Sequence, residues 1–105
     1  MQPDLKIINE LVRRIVECAH PLRIILFGSS ARDEMTKDSD LDVLVVMPDG
    51  VHRRRTAMDL HRRMYGLGAA VDIVVATPSI LEKHRDTFGL IYREALRGGR
   101  EIYAA

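Results

Sequence analysis

A chain whose apolar residues stop at Gly28-Ser29 and resume at Asp40-Leu41-Asp42 has few ways to fold, because both breaks fall at the ends of short, branched segments. Leu22 to Phe27 is apolar on both faces, the pattern of a strand buried between layers. Asp40 to Met47 reads as a second strand. Residues two apart on a strand share a face, so Asp40 and Asp42 project together while Leu41 and Val43 point the other way. Side-by-side carboxylates repel unless a cation lies between them. Mg²⁺ suits such a pair, since it takes hard oxygen ligands and binds through one or two carboxylates plus phosphates. Gly28 lets backbone approach a phosphate closely, Ser29 adds a hydroxyl, and the residues that follow can open a short helix whose free N–H groups favour an anion. Taken singly, an Asp-x-Asp is more often a polar strand end in water, and many strands end at a Gly-Ser turn. The combination at this spacing is what narrows the fold.

The flanking segments supply the rest of a small layered domain. Leu5, Ile8, Val12, Ile15 and Ala19 recur at steps of three and four, which predicts an amphipathic helix from Pro3 to Ala19 with those residues on its buried stripe. Pro3 and Asp4 suit its first turn, and His20-Pro21 ends it. Pro48-Asp49-Gly50 reads as a turn. Ala57, Leu60, Met64 and Leu67 predict a helix over His52 to Gly66, closed by Gly66-Leu67-Gly68, with Arg53, Arg54, Arg55, Arg62 and Arg63 on its other face. Such an arginine run is usually a solvated face; a grip on an acidic partner protein and help with a nucleotide are the functional alternatives.

Val71 to Ala76 predicts a third strand carrying one acid, Asp72, that is costly to bury without a partner. If the first two strands are antiparallel neighbours, a crossover through the arginine-rich helix makes the third parallel to the second. The end of the first strand and the starts of the other two then meet, so Gly28, Asp40, Asp42 and Asp72 converge. Thr77-Pro78 reads as a helix cap with proline in the first turn, leading a helix through His84. A break near Asp86 to Gly89 precedes a further helix through Arg97 that buries Phe88, Ile91 or Tyr92, and Ala95. Gly98-Gly99 ends it, and Arg100 to Tyr103 adds a short edge strand. The fold class expected is α/β (α+β), a small mixed sheet of three to four strands flanked by helices, with 1–105 as one domain.

The order strand, Gly-Ser, ten residues, Asp-x-Asp, strand resembles the signature of the nucleotidyltransferase superfamily that includes DNA polymerase beta. Gly28-Ser29-Ser30-Ala31-Arg32 and Ser39-Asp40-Leu41-Asp42 look like its minimal nucleotidyltransferase branch, whose members act as antitoxins beside HEPN-type ribonuclease toxins. The resemblance covers nearly the whole chain. The family motif usually has Gly after the Arg and often a basic residue after Gly-Ser, where this chain has Asp33 and Ser30. The resemblance implies that Asp40, Asp42 and Asp72 are the catalytic acids and hold two Mg²⁺ ions, with Asp72 placed to accept a proton. It also implies that Gly28, Ser29 and Arg32 bind the nucleotide, and that AMP passes from ATP to a tyrosine hydroxyl of a cognate HEPN toxin. Two rivals share these residues: a non-catalytic antitoxin that neutralises its partner by complex formation, and an enzyme that modifies a small molecule such as an antibiotic.

Composition narrows the setting. With 105 residues there is no room for a second substrate-binding domain, so a bulky acceptor must be held largely by another chain, in a homo- or hetero-oligomer. The formal net charge of +1 gives no global field for nucleic acid, and no direct nucleic-acid partner is expected. The sole cysteine, Cys18, falls among apolar neighbours and reads as a buried thiol of a reducing compartment. The four histidines show no zinc spacing and Tyr103 reads as a packing residue. The absence of a signal-like or membrane-length apolar run leads us to expect a soluble, cytoplasmic protein.

Overall fold

The computed structural model describes residues 5–28, 41–83 and 98–105. Its elements in chain order are α1 (Leu5–Ala19), β1 (Arg23–Phe27), β2 (Leu41–Val46), α2 (Arg53–Arg63), β3 (Val71–Ala76), α3 (Pro78–Lys83) and β4 (Arg100–Ala104). Among the described residues the strands form one sheet in the order β3-β2-β1-β4. β1 runs antiparallel to both β2 and β4, whereas β2 and β3 are parallel. This is the expected mixed sheet, with the crossover through α2 making the parallel pair. Pro3, Asp4, His84 and the expected helix burying Phe88, Ile91 or Tyr92, and Ala95 lie outside the described residues.

Strand alternation divides the apolar residues between two faces. Ile24, Leu26, Val43 and Val45 pack with Ile8, Leu11 and Ile15 of α1 and Leu60 of α2. Ile25, Phe27, Leu44, Val46 and Ala76 form the opposite face, against Ile80 and Leu81 of α3. Central strands apolar on both sides are what a sheet covered by helices on both faces requires. Tyr103 and Ile102 pack partly buried against the first layer, as does the thiol of Cys18, which is less enclosed than its neighbours suggested.

The stripe of α1 differs from the expected one. Ile8, Leu11 and Ile15 are its buried residues, whereas Leu5 is 70% exposed. At about 100° per residue, Leu5 lies roughly 90° around the helix from the centre of that triplet, and it sits in the first turn. Leu11, absent from the expected stripe, takes its place in the core. α2 is also shorter than expected, ending at Arg63 with Met64 as its cap. The tail then winds through turns in which Leu67 N–H donates to the Met64 carbonyl at 3.0 Å, so Met64 and Leu67 remain buried as their spacing predicted.

Polar ties fix how the helices meet. Arg14 on α1 donates from Nη1 to the carbonyls of Arg63 and Tyr65, both at 3.0 Å, and so satisfies acceptors left open at the end of α2. Its Nε donates to Glu10 at 2.9 Å, and Arg13 binds the same carboxylate. Hydrogen bonds from Arg13 and then Arg14 hold the Glu10 carboxyl at about 2, below its ordinary 4.5. At the other end of α2, His52 Nδ1 accepts from Arg55 N–H at 3.1 Å as the N-cap. His20, with φ of 51°, takes the left-handed conformation that closes α1 ahead of Pro21.

Two outcomes follow from this packing. Leu11→Ala should cost about 2–5 kcal/mol in urea unfolding, while Leu5→Ala should stay within about 0.5 kcal/mol. Glu10 is depressed in the folded state, so its contribution is complete above pH 4.5 and disappears as pH falls through about 2. In low salt, the melting-temperature advantage of wild type over Glu10→Gln should therefore be largest above pH 4.5 and shrink across that interval. An advantage independent of pH would show that the ion pair contributes nothing.

Candidate active site

β1 delivers Gly28 at its end, and the antiparallel register pairs Phe27 with Asp42 at the start of β2. The parallel register then pairs Asp42 with Asp72 and Leu41 with Val71. Residues opposite one another on neighbouring strands share a face, about 4.8 Å apart. Asp42 and Asp72 therefore project side by side from the face that carries Leu44, Val46, Val74 and Ala76 farther along. Asp42 is half-buried and Asp72 is exposed.

Gly28 is built into the same corner. Its φ of +68° belongs to the left-handed region, where a side chain is strained. A Cβ placed on it would lie 2.5 Å from Oδ2 of Asp42, well inside contact distance. The missing side chain is thus what lets the strand end close over the Asp42 carboxylate. Both needs, backbone conformation and space, are met only by glycine.

Of the sequence-predicted site residues, the structure brings together Gly28, Asp42 and Asp72, while Asp40, Ser29 and Arg32 lie outside the described residues. Among the described residues no group of three or more His, Cys, Asp or Glu side chains converges, so the corner contributes two carboxylates. Their chemistry fits a divalent cation: hard oxygen donors, adjacent, like-charged and open to solvent on the Asp72 side. The cradle left by Gly28 gives Asp42 the room to take part.

One polar cluster escaped the sequence reading. Asp49, in the turn after β2, accepts from Ser79 N–H at 3.2 Å and from the Ser79 hydroxyl at 2.9 Å. The Ser79 hydroxyl, then its N–H and the Thr77 hydroxyl, hold the Asp49 carboxyl below the usual range. Thr77 itself is buried and caps α3, its Oγ1 accepting from Ile80 N–H at 3.4 Å. The signal was legible as a Pro-Asp-Gly turn and a Thr-Pro-Ser helix start. Their pairing across 30 residues was not. The cluster lies at the end of the sheet away from Asp42 and Asp72, and its role is to seat α3.

A small mixed sheet, backed by helices and presenting acids at one end of its parallel pair, is the architecture of a nucleotidyltransferase. The chain belongs to the nucleotidyltransferase domain family, whose model matches residues 5–99. Its fold is that of the minimal nucleotidyltransferases found in toxin–antitoxin complexes. A chain of a toxin–antitoxin crystal structure with AMP-PNP superposes with a TM-score of 0.62 at 20% identity, covering 92% of this chain and 73% of the other. A Sulfolobus solfataricus protein assigned as a nucleotidyltransferase gives 0.64 at 23% identity, with coverage of 95% and 79%. The Shewanella oneidensis complex of a tri-AMPylated HEPN toxin with an MNT antitoxin gives 0.57 at 19% identity, with coverage of 92% and 69%. No curated protein matches the chain. Among the described residues no helix is long and apolar enough to cross a membrane.

The glycine cradle yields a direct test. Gly28→Ala should destabilise the fold by about 1 kcal/mol or more through its positive φ, with a further loss from the clash at Asp42. In a double-mutant cycle read by urea unfolding, Asp42→Ala should recover the clash component, making the pair less costly than the sum of the single changes. Strict additivity would mean that the two residues do not touch.

Proposed function

We propose that this chain is a protein adenylyltransferase that moves AMP from ATP to a hydroxyl group, a tyrosine of a cognate HEPN-type toxin, and so acts as an antitoxin. The observation that carries this reading is the in-register pair Asp42 and Asp72 set against the Gly28 turn. The family match supports nucleotidyl transfer, and the tri-AMPylated toxin held by an MNT antitoxin supports the acceptor class by analogy.

In this mechanism Asp40, Asp42 and Asp72 are the residues that would hold two Mg²⁺ ions. The ions would supply charge neutralisation at the triphosphate and at the departing pyrophosphate. Gly28 allows backbone to lie close to the phosphates, the Ser29 hydroxyl donates to them, and Arg32 adds positive charge. Asp72, the more exposed of the two described carboxylates, accepts the proton of the acceptor hydroxyl. The hydroxyl oxygen bonds to the α-phosphorus as the bond to the bridging oxygen breaks, and pyrophosphate leaves with that electron pair. Positioning and electrostatics carry the rate, so each carboxylate is worth orders of magnitude.

The test is transfer of label from α-³²P-ATP, with Mg²⁺, to the neighbouring gene product as the cognate acceptor. Asp42→Asn and Asp72→Asn should each lower the rate by about a hundredfold or more while leaving the fold intact. Stable complex formation without transfer by wild type, and full neutralisation of the toxin by Asp42→Asn, would instead establish a binding-only antitoxin. Transfer to an antibiotic but to no protein would establish the small-molecule enzyme.

A further inference from the structure

The arginine helix is not part of the acid corner. α2 buries Leu60 against the layer formed by Val43 and Val45, whereas Asp42 and Asp72 project from the opposite face of the sheet. Help with the nucleotide is therefore outside the reach of its outward side, which carries Arg54, Arg55 and Arg62.

That outward side has a defined composition. Arg54, Met58 and Arg62 follow one another at intervals of one helical turn, flanked by Arg55 and Asp59. Together with His52 they line a depression of about 330 Å³. All of these residues are exposed, and Met58 at 51% is one of the few large apolar side chains left in water. Arg62 reaches Asp59 at 3.8 Å, while Arg54 and Arg55 have no ion-pair partner among the described residues.

A methionine between arginines is the composition of a protein interface, where Met and Arg are enriched over other surface. It is poorly suited to nucleic acid, because Asp59 would face phosphates from within the strip and the chain as a whole carries a net charge of only +1. We propose that the outward strip of α2 is the docking surface for a protein partner that presents carboxylates around an apolar side chain. The apolar group packs on Met58, and the carboxylates meet Arg54, Arg55 and Arg62. Taking the acceptor protein as this partner rests on the function proposed above. Because the strip and the acids lie on opposite faces of the sheet, docking leaves the acid corner uncovered.

The experiment measures binding of the same neighbouring gene product by titration calorimetry at 0.1 M and 0.5 M NaCl, alongside label transfer. The variants are Arg54→Glu, Arg62→Glu, the double substitution and Met58→Ala, with Lys83→Glu on α3 as a control that changes net charge as much as either single reversal. The double reversal should weaken binding by about a hundredfold or more. Met58→Ala should weaken it by about tenfold. Lys83→Glu and Asp42→Asn should bind as wild type does, and higher salt should weaken the wild-type complex. Unchanged melting of the α2 variants separates lost docking from lost folding. If the double reversal binds as wild type does, or if wild type fails to bind, the docking surface is wrong. Tight binding of a single-stranded RNA oligonucleotide that the double reversal abolishes would overturn it in favour of nucleic acid. Binding lost with α2, but no transfer by wild type, would leave the surface standing and remove the adenylyltransferase reading; transfer indifferent to α2 would do the reverse.

Discussion

Parallel pairing of β2 with β3 places Asp42 directly beside Asp72, and only a connection long enough to return to the starting end of the sheet can produce it. The stretch from Met47 to Ala70 provides that return, and α2 within it is anchored by Leu60 in the core. Register matters as much as direction. A slip of one residue would turn Asp72 to the other face, into the layer packed by α1 and α2, where an unpaired carboxylate is costly. The apolar alternation of Ile73 and Val75 against Val74 and Ala76 thus fixes where the acid points.

The same corner shows how an unfavourable contact can be tolerated. Adjacent carboxylates on neighbouring strands repel. Gly28 adds a second local requirement, a positive φ that glycine adopts without strain and a side chain does not. A chain selected for stability alone would have little reason to place either feature here. A like-charged pair at one end of a well-packed sheet is where sequence consistency is expected to give way to function.

Much of this was legible from the residues, for identifiable reasons. Branched apolar runs bounded by glycine, proline and acids marked the strands to within a residue or so, because burial on both faces leaves little else those runs can form. The parallel return of β3 followed from the crossover once β1 and β2 were taken as antiparallel neighbours. Within α1, however, spacing alone admitted Leu5 and Val12 as readily as Leu11, and only packing against the sheet chose Leu11. The Arg14 link to the end of α2 and the Asp49 link to Ser79 were invisible because each joins side chains far apart in sequence to groups with no periodic signature. At the site, the convergence of Gly28, Asp42 and Asp72 could be argued from topology, but the closeness of Gly28 to the Asp42 oxygen could not.

On the proposed reading the two faces of the sheet carry separate tasks, and separate polar ties hold the helices on each. Arg14 and Glu10 lock the C-terminal end of α2 to α1, while His52 caps its other end, so the arginine strip sits on a helix fixed at both termini. Asp49 and Ser79 meanwhile seat α3 on the opposite face, beneath the strand ends farthest from the acids. Coupling between distant sites needs an element with two arrangements that both sites bias. No such element is seen among the described residues, so on the proposed reading docking at α2 acts by raising the local concentration of an acceptor near the acids.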